Sequence, residues 1–158
     1  MSTLANILPL SRCILGAPGG RKKRVLGQIA SLMSIALPNT DPSLVLDSLL
    51  AREQLGSSAF GNGVAIPHWR FAGCKKPLAL LIRLDSAVDF DALDAIPVDL
   101  LLAILMPTTT DSEHLELLNQ AMTLLDNSSA CERLRQATTP NMLYQNFLDT
   151  LQESFLCA

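Results

Sequence analysis

The chain has no apolar run long enough to cross a bilayer: its longest, residues 100–106, falls far short of the roughly 20 residues that a membrane helix needs. It also has little net charge, formally -3 from 12 Lys+Arg and 15 Asp+Glu, so no general attraction to nucleic acid or an anionic membrane is expected. Its four cysteines, Cys13, Cys74, Cys131 and Cys157, include no C-x-x-C pair and have no histidine at ligand spacing, which argues against a metal site. The first residues lack a basic region and the small residues of a processing site; with the scattered thiols, the expectation is a cytoplasmic protein with reduced cysteines. Gly19-Gly20 precedes a lysine pair without the spacing of a phosphate-binding P-loop. No internal repeat or low-complexity segment is present, and no cofactor is expected.

What is present is a globular composition. A length of 158 residues with 49% hydrophobic and 17% charged residues suits one domain over residues 1–158, with a core at about 12–153 and weakly patterned ends. Residues 12–15 read as a strand, and Val25, Ile29, Leu32, Met33 and Ile35 share one face of a helix that Pro38 stops. The run Arg21-Lys22-Lys23-Arg24 at its start is a phosphate or partner patch or, more simply, a solvated first turn. Asp41 with Pro42 caps a second helix through Leu44, Leu46, Leu49 and Leu50 to about Leu55, ended by Gly56. Residues 78–84 and 98–106 are continuous apolar runs, the pattern of strands covered on both faces, joined through a short extended piece near Val88. Residues 108–111 lead into a capped helix with His114, Leu117, Leu118, Met122 and Leu125 on one face; helices opening at Ser128 and Pro140 follow. The alternation predicts an α/β single-domain sandwich, a mixed central β-sheet flanked by helices on both faces. The tail at 156–158 carries no signal.

The chemistry concentrates in Gly61-Asn62-Gly63-Val64-Ala65-Ile66-Pro67-His68-Trp69-Arg70. Glycines permit backbone conformations closed to other residues, and a residue before proline is pushed towards extended geometry. Val64 to Ile66 therefore read as a short strand that delivers His68, one of only two histidines, to a loop. An imidazole is largely neutral and nucleophilic near pH 7. Arg52, in the last turn of the second helix, is either a counter-charge for a phosphoryl group at His68 or a cation at a helix C-terminus. Arg70 is a second candidate counter-charge, and His114 can donate a hydrogen bond from the start of its helix. Ser57, Ser58 and Cys74 have no identifiable base.

Glu53, then Phe60-Gly61, then Val64-Ala65-Ile66-Pro67-His68 resembles the active-site signature of the IIA proteins of the bacterial phosphotransferase system, in the mannitol/fructose class. Phe90-Asp91-Ala92-Leu93-Asp94, Pro97-Val98-Asp99-Leu100-Leu101 and His114-Leu115 resemble its nitrogen-regulatory branch. The resemblance covers residues 21–149. It implies a IIA-type fold with both histidines around one cleft, phosphorylation of His68 on the ring nitrogen remote from Cβ, assistance from His114, and a phosphoryl-site loop with Gly61, Gly63, Pro67 and Arg70. It raises the functional reading of Arg52 and implies an HPr-like phosphocarrier protein as donor. The implied role is a phosphohistidine carrier that controls regulatory target proteins by its phosphorylation state. The alternatives are a sugar-specific component that passes phosphate to a permease, or an interaction module with non-catalytic histidines. One position departs: the signature has a small residue after the histidine, where this chain has Trp69, expected to be a loop aromatic at a partner surface.

Overall fold

The computed structural model describes residues 3–109 and 111–156, and strand β6 (Val98–Met106) is its axis. Every residue of β6 except Asp99 is buried, because helices lie over both of its faces. Successive strand residues point to opposite faces. Accordingly Leu100, Leu102, Ile104 and Met106 enter one core, and Leu101, Ala103 and Leu105 enter the other.

The six-stranded sheet grows outward from this axis. On one side β5 (Leu78–Val88) runs antiparallel, with Leu80 opposite Ala103, and β1 (Cys13–Ala17) lies parallel beyond it. On the other side two short strands lie end to end against β6, both parallel to it: β3 (Val64–Ala65) opposite Leu100 and Leu101, and β4 (His68–Arg70) opposite Ile104 to Met106. Strand β2 (Ala59–Gly61) closes a hairpin with β3. The mixed sheet expected from the sequence is present.

Helices α2 (Lys22–Ile35) and α3 (Pro42–Leu55) cover one face through Val25, Ile29, Met33, Val45 and Leu49. Helices α1 (Leu4–Ile7), α4 (Asp111–Asp126), α5 (Ser128–Arg135) and α6 (Pro140–Leu156) cover the other, through Leu4, Leu117, Leu124, Leu134, Leu143 and Phe147. Asp41 Oδ1 accepts the Ser43 N–H at 2.9 Å with Pro42 in the first helical position, the cap expected for α3. Among the described residues no helix is long and apolar enough to cross a membrane.

Some expectations are corrected. The start of the chain, weakly patterned in sequence, is anchored in space: Leu4 and Leu8 are fully buried, and the Leu4 N–H donates to Gln120 Oε1 at 2.9 Å. Strand β5 continues to Val88 through an irregular stretch, where the sequence suggested a break. On α3 the buried residues are Val45, Leu49 and Glu53, spaced by four, and Leu44 is exposed; on α4 Met122 is exposed and Ala121 and Leu124 face inward. The apolar residues that end up outside belong to leucine-rich stretches whose periodicity fits more than one helical face. Thr110, within the stretch expected to lead into the capped helix, and the tail residues Cys157 and Ala158 lie outside the described residues.

Candidate active site

The hairpin that introduces the histidine is shaped by three consecutive residues with positive φ, Gly61 at 107°, Asn62 at 57° and Gly63 at 81°. At Gly63 the positive φ favours glycine, and a Cβ there would stand 3.3 Å from the Pro97 carbonyl oxygen and 2.9 Å from Arg135 Nη2, displacing that guanidinium. Arg135 in turn donates from Nη2 to the Asn62 carbonyl at 2.9 Å and from Nε to Asp99 Oδ1 at 2.9 Å, and Asp94 Oδ2 accepts the Asn62 N–H at 2.8 Å. These glycines were expected in the phosphoryl-site loop that leads to His68. The register sets their distance from it: Val64 lies opposite Leu100 and His68 opposite Ile104, four residues or about 13 Å further along β6. Gly61 and Gly63 shape the β2–β3 turn from which the strand runs to His68.

Pro67 interrupts the edge between β3 and β4. It has no N–H to give to the ladder, while its carbonyl accepts the Ile104 N–H at 2.8 Å. His68 follows as the first residue of β4, on a strand where a loop was expected. Its Nδ1 lies 2.7 Å from the Ile66 carbonyl oxygen. A carbonyl only accepts, so in the neutral ring the proton is on Nδ1 and the lone pair is on Nε2. On that side stands Arg52, whose Nη2 is 3.5 Å from His68 Nε2. The same guanidinium donates from Nη1 to the Gly56 carbonyl at 3.2 Å, so the helix-end role and the histidine contact coexist in one side chain. From α4, His114 brings its ring to a centroid distance of 5.8 Å from His68, tilted by 49°. Both rings are half-buried.

Strand alternation assigns the neighbours. Arg70, two residues on, shares the face of His68 and donates to the Thr108 carbonyl at 3.4 Å. Trp69 points the other way. It is 3% exposed and packs in the core under α2 and α3 with Leu105 and Cys74, its indole Nε1 without a hydrogen-bond partner among the described residues. The expected partner-surface aromatic is therefore a core residue: once His68 is on a strand paired with β6, its successor must face the sheet's other side.

Burial holds the His68 pKa below the ordinary histidine value. The Ile66 carbonyl pulls it up, the Arg52 charge pushes it down and Glu53 pulls it up, with burial prevailing. The site thus presents a neutral imidazole with a bare Nε2 beside a cation, an arrangement suited to attack on an anionic phosphorus centre. The described thiols offer no competing nucleophile: burial pushes Cys13 up to about 12 and Cys74 up to about 11, and raises Cys131. Ser57 Oγ donates to the Phe90 carbonyl, and Ser58 is buried and bonded to Glu53. Among the described residues no cluster of His, Cys, Asp or Glu is placed to hold a metal ion.

Two residues of the neighbourhood are named in the sequence pattern without the role the structure gives them. Lys22, whose cluster reads as a solvated turn, instead turns inward and pairs with Glu53 Oε1 at 2.9 Å and Asp91 Oδ2 at 3.3 Å. Glu53 carries part of the signature without an evident role of its own; the signal was an acidic residue placed directly after Arg52. A cleft of about 530 Å³ between α2 and α3 is lined by Lys22, Lys23, Leu26, Leu50, Glu53 and Asp91, and includes neither histidine.

A sequence profile described as "Phosphoenolpyruvate-dependent sugar phosphotransferase system, EIIA 2" matches residues 7–150. The chain is 49% identical over 149 residues to the nitrogen regulatory protein of Pseudomonas aeruginosa, covering 94% of this chain and 97% of that one. Its fold is similar to that of the nitrogen regulatory protein IIA-Ntr from Neisseria meningitidis, with a TM-score of 0.85 and 35% identity over 90% of this chain and 97% of that one. It is similar in fold also to IIA mannitol from Escherichia coli, with a TM-score of 0.71 and 20% identity over 90% and 97%. The residues carrying the signature, the mixed sheet that holds them and these likenesses agree: the chain belongs to the EIIA 2 family of the phosphotransferase system, related to its nitrogen-regulatory members.

Proposed function

We propose that this protein is a cytoplasmic phosphohistidine carrier and regulator in a nitrogen-related phosphotransferase relay. His68 Nε2 attacks the phosphorus of a phosphohistidine on an HPr-like donor; a new N–P bond forms as the donor's breaks, and the donor ring leaves with the electron pair. The proton on His68 Nδ1 stays there, donated to the Ile66 carbonyl, and the bond strengthens as positive charge enters the ring. Arg52, and with it Arg70 and His114, stabilises charge on the phosphoryl oxygens in flight, where positioned donors supply most of the acceleration. Target proteins then read the phosphorylated and free forms differently. The observation that supports this most is the fixed direction of His68, with Nδ1 2.7 Å from a carbonyl and Nε2 3.5 Å from a guanidinium. The likeness to nitrogen regulatory proteins favours control of targets over sugar uptake.

The test is incubation with phosphoenolpyruvate and the purified relay proteins, followed by mapping of acid-labile label. One phosphoryl group on His68 is expected. No label, or label on another residue, contradicts the reading.

A further inference from the structure

Glu53 is 8% exposed, and a buried carboxylate is costly unless donors surround it. Its donors are distributed unevenly. Oε1 accepts from Ser58 N–H at 2.8 Å, from Ser58 Oγ at 3.1 Å and from Lys22 Nζ at 2.9 Å, whereas Oε2 has no partner among the described residues. A carboxylate serving only to neutralise a lysine does not need two bonds to one serine. Following them leads to the histidine: the Ser58 carbonyl accepts the Ile66 N–H at 2.9 Å, and the Ile66 carbonyl is the group 2.7 Å from His68 Nδ1. Ile66 belongs to neither β3 nor β4; its N–H, in register with the β2–β3 pairing, is held by Ser58, and its carbonyl sits in the next peptide, whose Pro67 nitrogen has no N–H to hold it, so the Ser58 bond fixes the residue from which that carbonyl projects.

We propose that Glu53 is a positioning residue for His68: by anchoring Ser58 it fixes the Ile66 carbonyl that takes the Nδ1 proton, and so keeps the lone pair on Nε2. The last turn of α3 then controls both sides of one imidazole, with Arg52 at Nε2 and Glu53, through Ser58 and Ile66, at Nδ1. Lys22 is the ion-pair partner of Glu53 at 2.9 Å, which gives the inward turn of this lysine a purpose. The effect on transfer rests on the function proposed above; the effect on the ring does not.

The experiment uses the full chain labelled with 15N at its two histidines, compared as wild type, Glu53→Ala, Glu53→Asp and Glu53→Gln. At pH 8, wild-type His68 is expected to show a protonated Nδ1 and a bare Nε2. In Glu53→Ala the two nitrogens move towards the averaged values of mixed tautomers, and the maximal rate of phosphorylation falls by about tenfold or more, the scale on which orienting partners of functional histidines act. The fall is equal with a small phosphoramidate donor and with the protein donor, and KM for the protein donor changes by less than about twofold. Glu53→Gln keeps an acceptor for Ser58 and restores most of the wild-type pattern; Glu53→Asp, with its carboxylate withdrawn, is intermediate. Should Glu53→Ala not fold, the aspartate variant decides the matter. A variant that melts at lower temperature but keeps the wild-type tautomer and rate overturns the proposal, leaving Glu53 a structural ion-pair partner. If wild-type His68 takes no phosphoryl group, the proposed function fails while the nitrogen shifts still decide the role of Glu53.

Discussion

His68 and His114 meet from two regions that hold their side chains in different ways. His68 begins a strand; its backbone is in register with Ile104, and its ring is tied two residues back to the Ile66 carbonyl. His114 rides on α4, whose position is set by Leu117, Ala121 and Leu124 in the core on the opposite side of the sheet from α2 and α3. Local backbone geometry therefore directs the first imidazole, and helix packing places the second. His68 is thereby aimed by the chain immediately around it. A nucleophile needs one nitrogen aimed and bare, and the His68 region provides a fixed acceptor for the other.

The comparison is broken most completely at the nucleophile. His68→Ala should abolish acid-labile labelling, while the melting temperature moves by a few degrees, because a half-buried ring at a strand end contributes about 1 kcal/mol. Stoichiometric label on this variant would move the reacting atom elsewhere. Next in size is the residue on the reverse of the same strand. Trp69→Ala should destabilise by about 3–5 kcal/mol, as expected for removing a buried indole. The single tryptophan should emit as a buried indole and show no shift on addition of the donor protein; a shift would return it to the surface.

Charge stabilisation comes next. Arg52→Gln and His114→Ala should each slow transfer by about tenfold, or 1.4 kcal/mol, with Arg52→Gln also losing a small increment from the bond to the Gly56 carbonyl. Transfer rates set against melting curves separate the two effects. The smallest effect is with pH. Because burial lowers the folded-state pKa of His68, the unfolded chain takes up the proton first as the solution is acidified. The contribution is complete above about pH 6.5 and is lost as pH falls towards the lower folded-state value, with a slope below about 1.4 kcal/mol per pH unit. Unfolding midpoints between pH 5 and 8 should be flatter for His68→Gln than for wild type; parallel curves would mean that burial does not act on this ring.

Much of this was legible in the sequence, for reasons that can be named. The Asp41-Pro42 cap is a local device, and α3 begins where it says. Strand β6 matches its apolar run from Val98 to Met106, since helices on both faces leave no room for alternation. The glycine-framed Pro-His pair singles out His68, whereas the helix-end position of Arg52 leaves two roles open until the family resemblance is weighed; in the structure the guanidinium lies 3.5 Å from His68 Nε2. Trp69 is misplaced by a reading that puts His68 on a loop, where the next residue has no assigned face; one step of strand register reverses that conclusion. Lys22 is misread because a run of four cations gives no sign that one of them pairs with a carboxylate 31 positions away. The four-residue α1 is too short to form on local propensity, and its place is decided by Gln120 and the core.

The central claim is that His68 reacts through Nε2 because Nδ1 is engaged by the Ile66 carbonyl. The most direct measurement is 15N and 31P spectroscopy of the phosphorylated protein labelled at histidine. The account predicts phosphorus coupled to Nε2 of His68 and a proton retained on Nδ1; coupling to Nδ1, or to either nitrogen of His114, would contradict it.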